Sequence, residues 1–302
     1  HWRETEGEGV CIVILDTGST DGTKDAIRAA APQARILDFE PEERHPERGW
    51  ICDFAVARNA SFQAATGDAI LWLDHDDVLA DTEGKDPAAR LREHVEALMV
   101  TRDPPADVLE LNYHYINDAW HHPMLVLPRF RVVRRDHFRW TFPVHEDLEP
   151  VRFVRRAPLR KDSLYVDHLR DHQGNTESAE RNLWIMQRYM RKGGEMNARL
   201  WQNVAGSLTA LGRFEEGLAA FDESLSVCGP DTEMTFVNSI RKGDAAKAAG
   251  RPEQAAESYL RAQLVFPGRR QPWIALAQLC SELGNMESAL IYADIAVAMA
   301  SG

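Results

Sequence analysis

A chain of 302 residues, 44% hydrophobic and 27% charged, has the composition of an ordinary globular protein and the length for two domains with a core each, which excludes disordered and fibrous classes. With Lys plus Arg at 35 and Asp plus Glu at 47, the net charge of -12 disfavours non-specific nucleic-acid binding by the molecule as a whole. Cys11, Cys52, Cys228 and Cys280 form no Cys-x-x-Cys pair and read as free thiols of a cytoplasmic protein; no apolar stretch approaches the roughly 20 residues of a membrane span, no signal peptide is visible, and the sequence opens at His1 with no initiator Met.

Val10 to Leu15 is wholly apolar and rich in β-branched residues, which predicts a central parallel strand. It runs into Asp16-Thr17-Gly18-Ser19-Thr20-Asp21-Gly22-Thr23, a tight loop ahead of a helix over Lys24 to Ala31. The free N–H groups of that helix start can face an anion or be capped by Ser, Thr or Asp. Arg35 to Phe39 predicts a second strand. Ile51 to Thr66 predicts a helix carrying Asp53, Arg58 and Asn59, closed by Gly67.

The apolar run Ile70-Leu71-Trp72-Leu73 then breaks into Asp74-His75-Asp76-Asp77, which reads as a buried strand delivering three carboxylates to its C-terminal edge, where open α/β sheets bind ligands. Anions so close repel one another unless a cation sits among them, and hard oxygen ligands select Mg²⁺ or Mn²⁺. A solvated acidic turn is the plain alternative. Further on, Pro87 to Thr101 predicts a helix, and Asp107 to Asn117, Met124 to Leu127, Phe130 to Val133 and Leu164 to His168 predict strands. Alternating strands and helices argue for an α/β domain with a doubly wound, mostly parallel sheet over residues 1–172. Between Arg129 and Arg170 eleven basic residues face six acids, a local surplus that suggests an anion-facing wall.

From residue 173 to 302 the sequence is almost continuously helical and carries a repeat. Leu211-Gly212-Arg213-Phe214-Glu215, Ala249-Gly250-Arg251-Pro252-Glu253 and Leu283-Gly284-Asn285-Met286-Glu287 align at spacings of 38 and 34 residues. Small residues follow each glycine at Gly217, Ala255 and Ala289 and precede it at Ala205, Gly243 and Ala277, with Trp201, Ser239 and Trp273 further upstream. The pattern resembles the tetratricopeptide repeat, whose paired helices stack into an array with a concave face that binds peptides, dimerises or braces a neighbour.

Asp16-Thr17-Gly18-Ser19 is also the tetrapeptide of aspartic proteases, but these need two facing copies and the chain has one. The combination of the Asp16 loop, Phe54-Ala-Val-Ala-Arg58-Asn59-Ala and Gly67-Asp68-Ala-Ile-Leu-Trp-Leu73-Asp74-His75-Asp76-Asp77 resembles the family 2 glycosyltransferases of the GT-A fold, over roughly residues 10 to 170. Val144-His145-Glu146 and Asp167-His168 resemble later motifs of its bacterial members.

The resemblance implies a metal-dependent, inverting transfer of a hexose from a nucleoside-diphosphate sugar, with a UDP-sugar as the first expectation. Asp16, Asp21, Arg58, Asp74 and Arg131 are the implied nucleotide-sugar contacts. Asp76, Asp74 and His168 are the implied ligands of Mn²⁺ or Mg²⁺, which would neutralise the departing diphosphate. Glu146 is the first choice of general base, with Asp77 or Asp147 as alternatives, and Trp140 and His145 are the expected acceptor contacts.

A polypeptide acceptor held by the repeats is the first expectation and a glycan the second, with a homodimer through the repeats also open. The basic segment motivates an alternative, transfer to a modified DNA base. Family members carry an earlier strand and an Asn-Glu segment upstream of the Asp16 loop where this chain has only His1 to Gly9, which motivates a reading of another class: a non-catalytic peptide-binding scaffold with a degenerate transferase domain.

Overall fold

A computed structural model describes residues 10–117, 122–159, 163–169, 176–230 and 232–299. The chain divides into two compact units, His1–Gln173 and Gly174–Gly302. Arg160, Lys161 and Arg170 of the basic segment lie outside the described residues, as do His1 to Gly9 and the break at Gly174-Asn175.

In the first unit, β1 (Val13–Asp16) pairs in parallel with β2 (Arg35–Asp38) across α1 (Thr23–Ala30), forming a small sheet of their own. The principal sheet follows α2 (Phe54–Ala64) and contains β3 (Ala69–Leu71), β4 (Asp77–Asp81), β5 (Val108–Asn117), β6 (Pro123–Arg134), β9 (Arg156–Pro158) and β10 (Leu164–His168). A hairpin of β7 (Phe138–Thr141) and β8 (Asp147–Pro150) stands apart from it. Strand order is β3-β6-β5-β10-β4, with β9 also on β5.

The α/β class stands, but the expectation of a mostly parallel sheet is corrected. Only β5/β10 and β5/β9 are parallel, whereas β3/β6, β5/β6 and β4/β10 are antiparallel. The reason is connectivity: β5 turns directly into β6 with no crossover helix, and a direct turn forces antiparallel pairing. The two short strands expected over Met124 to Val133 are one continuous strand, β6, and the helix expected over Pro87 to Thr101 is α3 (Pro87–Val95) ending in a π-helical turn, Glu96–Thr101.

Both faces of the sheet are buried around the start of β5 and the end of β6, whereas the first half of β6 is largely exposed. Alternate residues of β5 and β6 face opposite ways. Leu109, Leu111, Tyr113 and Val132 join Leu91 of α3, Met99, Leu164 and Val166 on one side; Val108 and Val133 join Ala55 and Phe62 of α2, Ile70, Phe138 and Trp140 on the other. A helix on one face and a helix plus hairpin on the other leave the strand ends, not the faces, for chemistry.

The second unit is all helical: α4 (Thr176–Arg191), α5 (Ala198–Ala210), α6 (Phe214–Val227), α7 (Glu233–Ala248), α8 (Pro252–Val265), α9 (Gln271–Glu282) and α10 (Met286–Ala298). Three of the helix pairs turn identically. Gly212, Gly250 and Gly284 adopt left-handed φ values of 72°, 72° and 77°, and the next residue's N–H closes the helix on Leu208, Ala246 and Cys280, each at 2.9 Å. A left-handed residue closing the preceding helix in this way favours glycine. The three registers seen in the sequence are therefore three structural repeats of the tetratricopeptide type.

The small residues set how closely the helices cross. Gly243 of α7 is buried under the Tyr259 ring of α8, and that ring is fixed because it is 1% exposed and its hydroxyl donates to Asp244 Oδ1 at 2.7 Å. A Cβ at 243 would overlap the ring. Helix propensity alone favours Gly243→Ala by about 1 kcal/mol. Overpacking costs about 1–3 kcal/mol and should reverse the sign, so urea denaturation should show a net loss of up to about 2 kcal/mol. A stabilised variant would contradict this packing.

Candidate functional site

The site grows from the pairing of β4 with β10, which sets Asp77 directly opposite His168. The Asp77 side chain is 0% exposed. Its Oδ2 accepts from Arg131 Nη1 at 2.7 Å and from the Asp74 N–H at 3.1 Å; its Oδ1 accepts from the Tyr113 hydroxyl at 3.0 Å and lies 3.1 Å from His168 Nδ1. Arg131, 1% exposed, lies with its guanidinium carbon 4.0 Å from the Trp72 ring centre and 4.3 Å from that of Tyr113. Burial, and then the charge of Asp77, push the Tyr113 hydroxyl well above the usual phenol range, which keeps it protonated as a donor.

Asp76, Asp77 and His168 bring one ligand atom each within 4.8 Å of one another. Asp76 Oδ1 is 3.7 Å from His168 Nδ1, and the His168 ring stacks on Tyr115 at 5.7 Å and 11°. Two carboxylates and an imidazole are a donor set that suits Mn²⁺, which accepts both hard oxygen and ring nitrogen. Behind the trio Arg131 offsets part of the Asp77 charge, and the Leu169 N–H donates to the Asp76 carbonyl at 2.8 Å. The residues present fit a divalent cation.

Asp74 is not in this trio. Its Oδ1 accepts from Arg58 Nη2 at 2.7 Å, and Arg58 Nε donates to Glu146 Oε1 at 2.7 Å. Arg58 lies on α2, whose first turn is capped by Asp53 accepting from Val56 N–H at 2.9 Å. On the next position Asn59 donates to the Trp140 carbonyl and accepts from its N–H, both at 2.9 Å, and the Phe54 N–H donates to Pro143 O at 2.8 Å. These bonds pin the β7–β8 connection to α2. Within that connection Phe142 and His145 hold left-handed φ values of 65° and 54°, which non-glycine residues rarely adopt and which set the direction of Glu146.

At the end of β1, buried Asp16 accepts from the N–H groups of Gly18 and Ser19, each at 3.1 Å, and Lys24 Nζ is 3.4 Å away. Burial opposes its ionisation, but the Ser19 hydroxyl and these N–H groups, with Lys24, hold its carboxyl below the usual range. Asp21 faces its own helix start instead. It accepts from the Thr23 hydroxyl at 2.5 Å and the Thr23 N–H at 3.2 Å, bonds that lower its pKa. Arg44 donates to the carbonyls of Thr17, Phe39 and Gly49 and packs against Gly18, whose φ of 114° favours glycine.

Several expectations are corrected by burial. Arg131 does not face a diphosphate; it is the internal counter-ion of Asp77. Asp77 has both oxygens engaged and no exposure, so it cannot take a proton from an acceptor, whereas it can share Oδ1 with a cation. The group that could hold a cation contains Asp77 where Asp74 was expected. Trp140 is 4% exposed and packs edge-on to Phe62 and Trp72, so it presents no stacking face to an acceptor. His145 is exposed, two residues after buried Pro143. Part of the basic segment is engaged internally: Arg131 faces Asp77, Arg134 donates to Met99 O and pairs with Asp107, and Arg156 packs on Phe130, while Arg129, Arg139, Arg152 and Arg155 are exposed.

Tyr113, Lys24 and Arg44 went unread in the sequence. Tyr113 had a signal: it lies two residues beyond buried Leu111 on one face of β5. Arg131→Met should strand the Asp77 charge and cost about 3–5 kcal/mol in urea denaturation, with Arg131→Met/Asp77→Asn recovering a large part of it. A single-variant loss below about 1 kcal/mol would show that the pair is not what orders the strand edge.

Comparison with known proteins agrees with the first unit's architecture. The profile of "Glycosyl transferase family 2" matches residues 3–161, more than half of the chain. No curated protein matches the chain significantly. Among solved structures the chain is similar to MamA (13% identity, covering 41% of this chain and 78% of that one, TM-score 0.33). It is also similar to YrrB, described as a TPR protein with an unusual peptide-binding site (19% identity, 41% and 61% covered, TM-score 0.36). A third is PcrH in complex with the chaperone binding region of PopB (17% identity, 34% and 81% covered, TM-score 0.31). By the extent of the profile match over its sheet-bearing unit, the chain belongs to glycosyl transferase family 2.

Proposed function

We propose that this chain is a metal-dependent, inverting glycosyltransferase that moves a hexose from a nucleoside-diphosphate sugar, a UDP-sugar first, to a polypeptide or glycan acceptor. The observation that carries the reading is the convergence of Asp76, Asp77 and His168 within 4.8 Å at one strand edge, with Asp74 of the same acidic segment tied through Arg58 to Glu146. Bound there, a divalent ion supplies charge neutralisation of the leaving diphosphate.

The chain's own residues divide the remaining work. Asp16, held ionised at the end of β1, accepts donor N–H or O–H groups of the nucleoside, with Lys24 beside it to face an anion. Glu146 takes the acceptor's proton as its oxygen attacks the anomeric carbon from the side opposite the departing diphosphate. His145, exposed at the preceding position, lies where an acceptor approaches. The helical repeats hold an extended acceptor on their concave face, the general use of such arrays.

The protein works in the cytoplasm on this reading; among the described residues no helix is long and apolar enough to cross a membrane. Transfer to a modified DNA base is the alternative reading; of the basic segment that motivates it, Arg131 and Arg134 have internal partners while Arg129, Arg139, Arg152 and Arg155 are exposed.

Titration calorimetry with UDP and other nucleoside diphosphates, with and without Mn²⁺, tests the reading. Binding should require the metal and weaken at least about tenfold in Asp76→Ala, the scale on which metal-site residues act. Absence of binding to every nucleotide would leave a non-catalytic repeat scaffold as the better account.

A further inference from the structure

Arg58 turns two of its donors onto acids of the protein. Its Nε and Nη2 each make a 2.7 Å bond to a carboxylate, Glu146 and Asp74 respectively, and its guanidinium carbon lies 4.7 Å from the Trp140 ring centre and 5.5 Å from that of Trp72. The two acids come from separate parts of the chain, Asp74 from the turn that follows β3 and Glu146 from the connection between β7 and β8. The guanidinium lies against two indoles that pack edge to face on each other, so this core pair helps to hold the Arg58 side chain, although Arg58 and Asp74 both keep some exposure.

Asp74 begins within reach of the metal trio, since its own N–H donates to Asp77 Oδ2 at 3.1 Å. Its carboxylate nonetheless faces Arg58. A guanidinium never gives up its charge, and a cation seeking Asp74 has to compete with a charge-assisted bond at Oδ1, whereas the Arg131 bond to Asp77 falls on Oδ2 and leaves Oδ1 beside His168. The like charge of Arg58 also opposes a metal drawn toward it.

Resting on the glycosyl-transfer reading, we propose that Arg58 is a positioning residue that withholds Asp74 from the metal and holds Glu146 beside the acidic strand edge. The metal set is then Asp76, Asp77 and His168, and Asp74 with Glu146 forms a second, metal-free pair of acids bridged by one cation. Arg58 works as a competitor of the metal for Asp74, and metal affinity is lower than the acidic segment could deliver.

Mn²⁺ binding by the full chain, followed through the electron paramagnetic resonance signal of free Mn²⁺, tests this without any assay of turnover. Asp74→Asn should stay within about twofold of the native affinity, while Asp76→Asn and His168→Ala should each lose at least about tenfold. Arg58→Met should bind Mn²⁺ more tightly, by about threefold or more, because Asp74 becomes available as a further ligand. Asp74→Asn in that background should cancel the gain.

If Asp74→Asn loses as much affinity as Asp76→Asn, or if folded Arg58→Met binds no more tightly than the native chain, the proposal is wrong while the metal site stands. A native chain that binds no Mn²⁺ would overturn the metal reading and the proposal together. Circular dichroism checks each variant; should Arg58→Met not fold, the comparison of Asp74→Asn with Asp76→Asn decides alone.

Discussion

The buried pair of Asp77 and Arg131 is the constraint on which the first unit's site depends. A carboxylate and a guanidinium taken out of water cost several kcal/mol each, and their attraction offsets this only with good geometry and further hydrogen bonds. Asp77 meets that condition by accepting also from Tyr113 and the Asp74 N–H, with His168 alongside. These partners come from β5, β6, β10 and the turn before β4. One carboxylate thus gathers the strands of the sheet at a single edge and orients Asp76 and His168 beside it.

The same constraint explains why a short segment can serve two ends of the strand order. β3 and β4 are separated by residues 72–76 alone, yet they sit at opposite ends of β3-β6-β5-β10-β4. Four strand spacings on a flat sheet would span about 19 Å. The turn in which the Asp77 N–H donates to Asp74 O at 3.1 Å shortens the segment further. The sheet therefore curls, and Arg131 of β6 and Asp77 of β4 meet across the hollow. Acids that the sequence shows as one run end up with different tasks: Asp77 faces inward, Asp76 faces His168, and Asp74 faces Arg58.

Much of this was legible in the sequence, and the misses share one cause. β1, β2, α2, β5 and β10 announce themselves by apolar runs and caps, and the repeats by three glycines at fixed offsets, because these features are local. Strand β4 was hidden because Asp77 and Asp81 at its ends look like a solvated turn, and β9 because it holds three residues ending in a proline. Arg131 and Trp140 were misread as ligand contacts since their residue types suit that work. Alternation carried a signal for Trp140, which shares a strand face with buried Phe138, whereas Arg131 falls at an irregularity of the β5–β6 register where alternation breaks. That Arg58 meets Glu146, or Asp77 meets Tyr113, could not be read at all, because such pairs are set by the packing of α2 and the curl of the sheet.

The central claim is that Asp76, Asp77 and His168 make one cation site at the joint edge of β4 and β10. Anomalous diffraction at the manganese edge, from crystals grown with Mn²⁺ and UDP, tests it most directly. The account predicts one strong peak bounded by those three side chains, with Asp74 still on Arg58. A peak coordinated elsewhere, or none in crystals that bind the nucleotide, would contradict it.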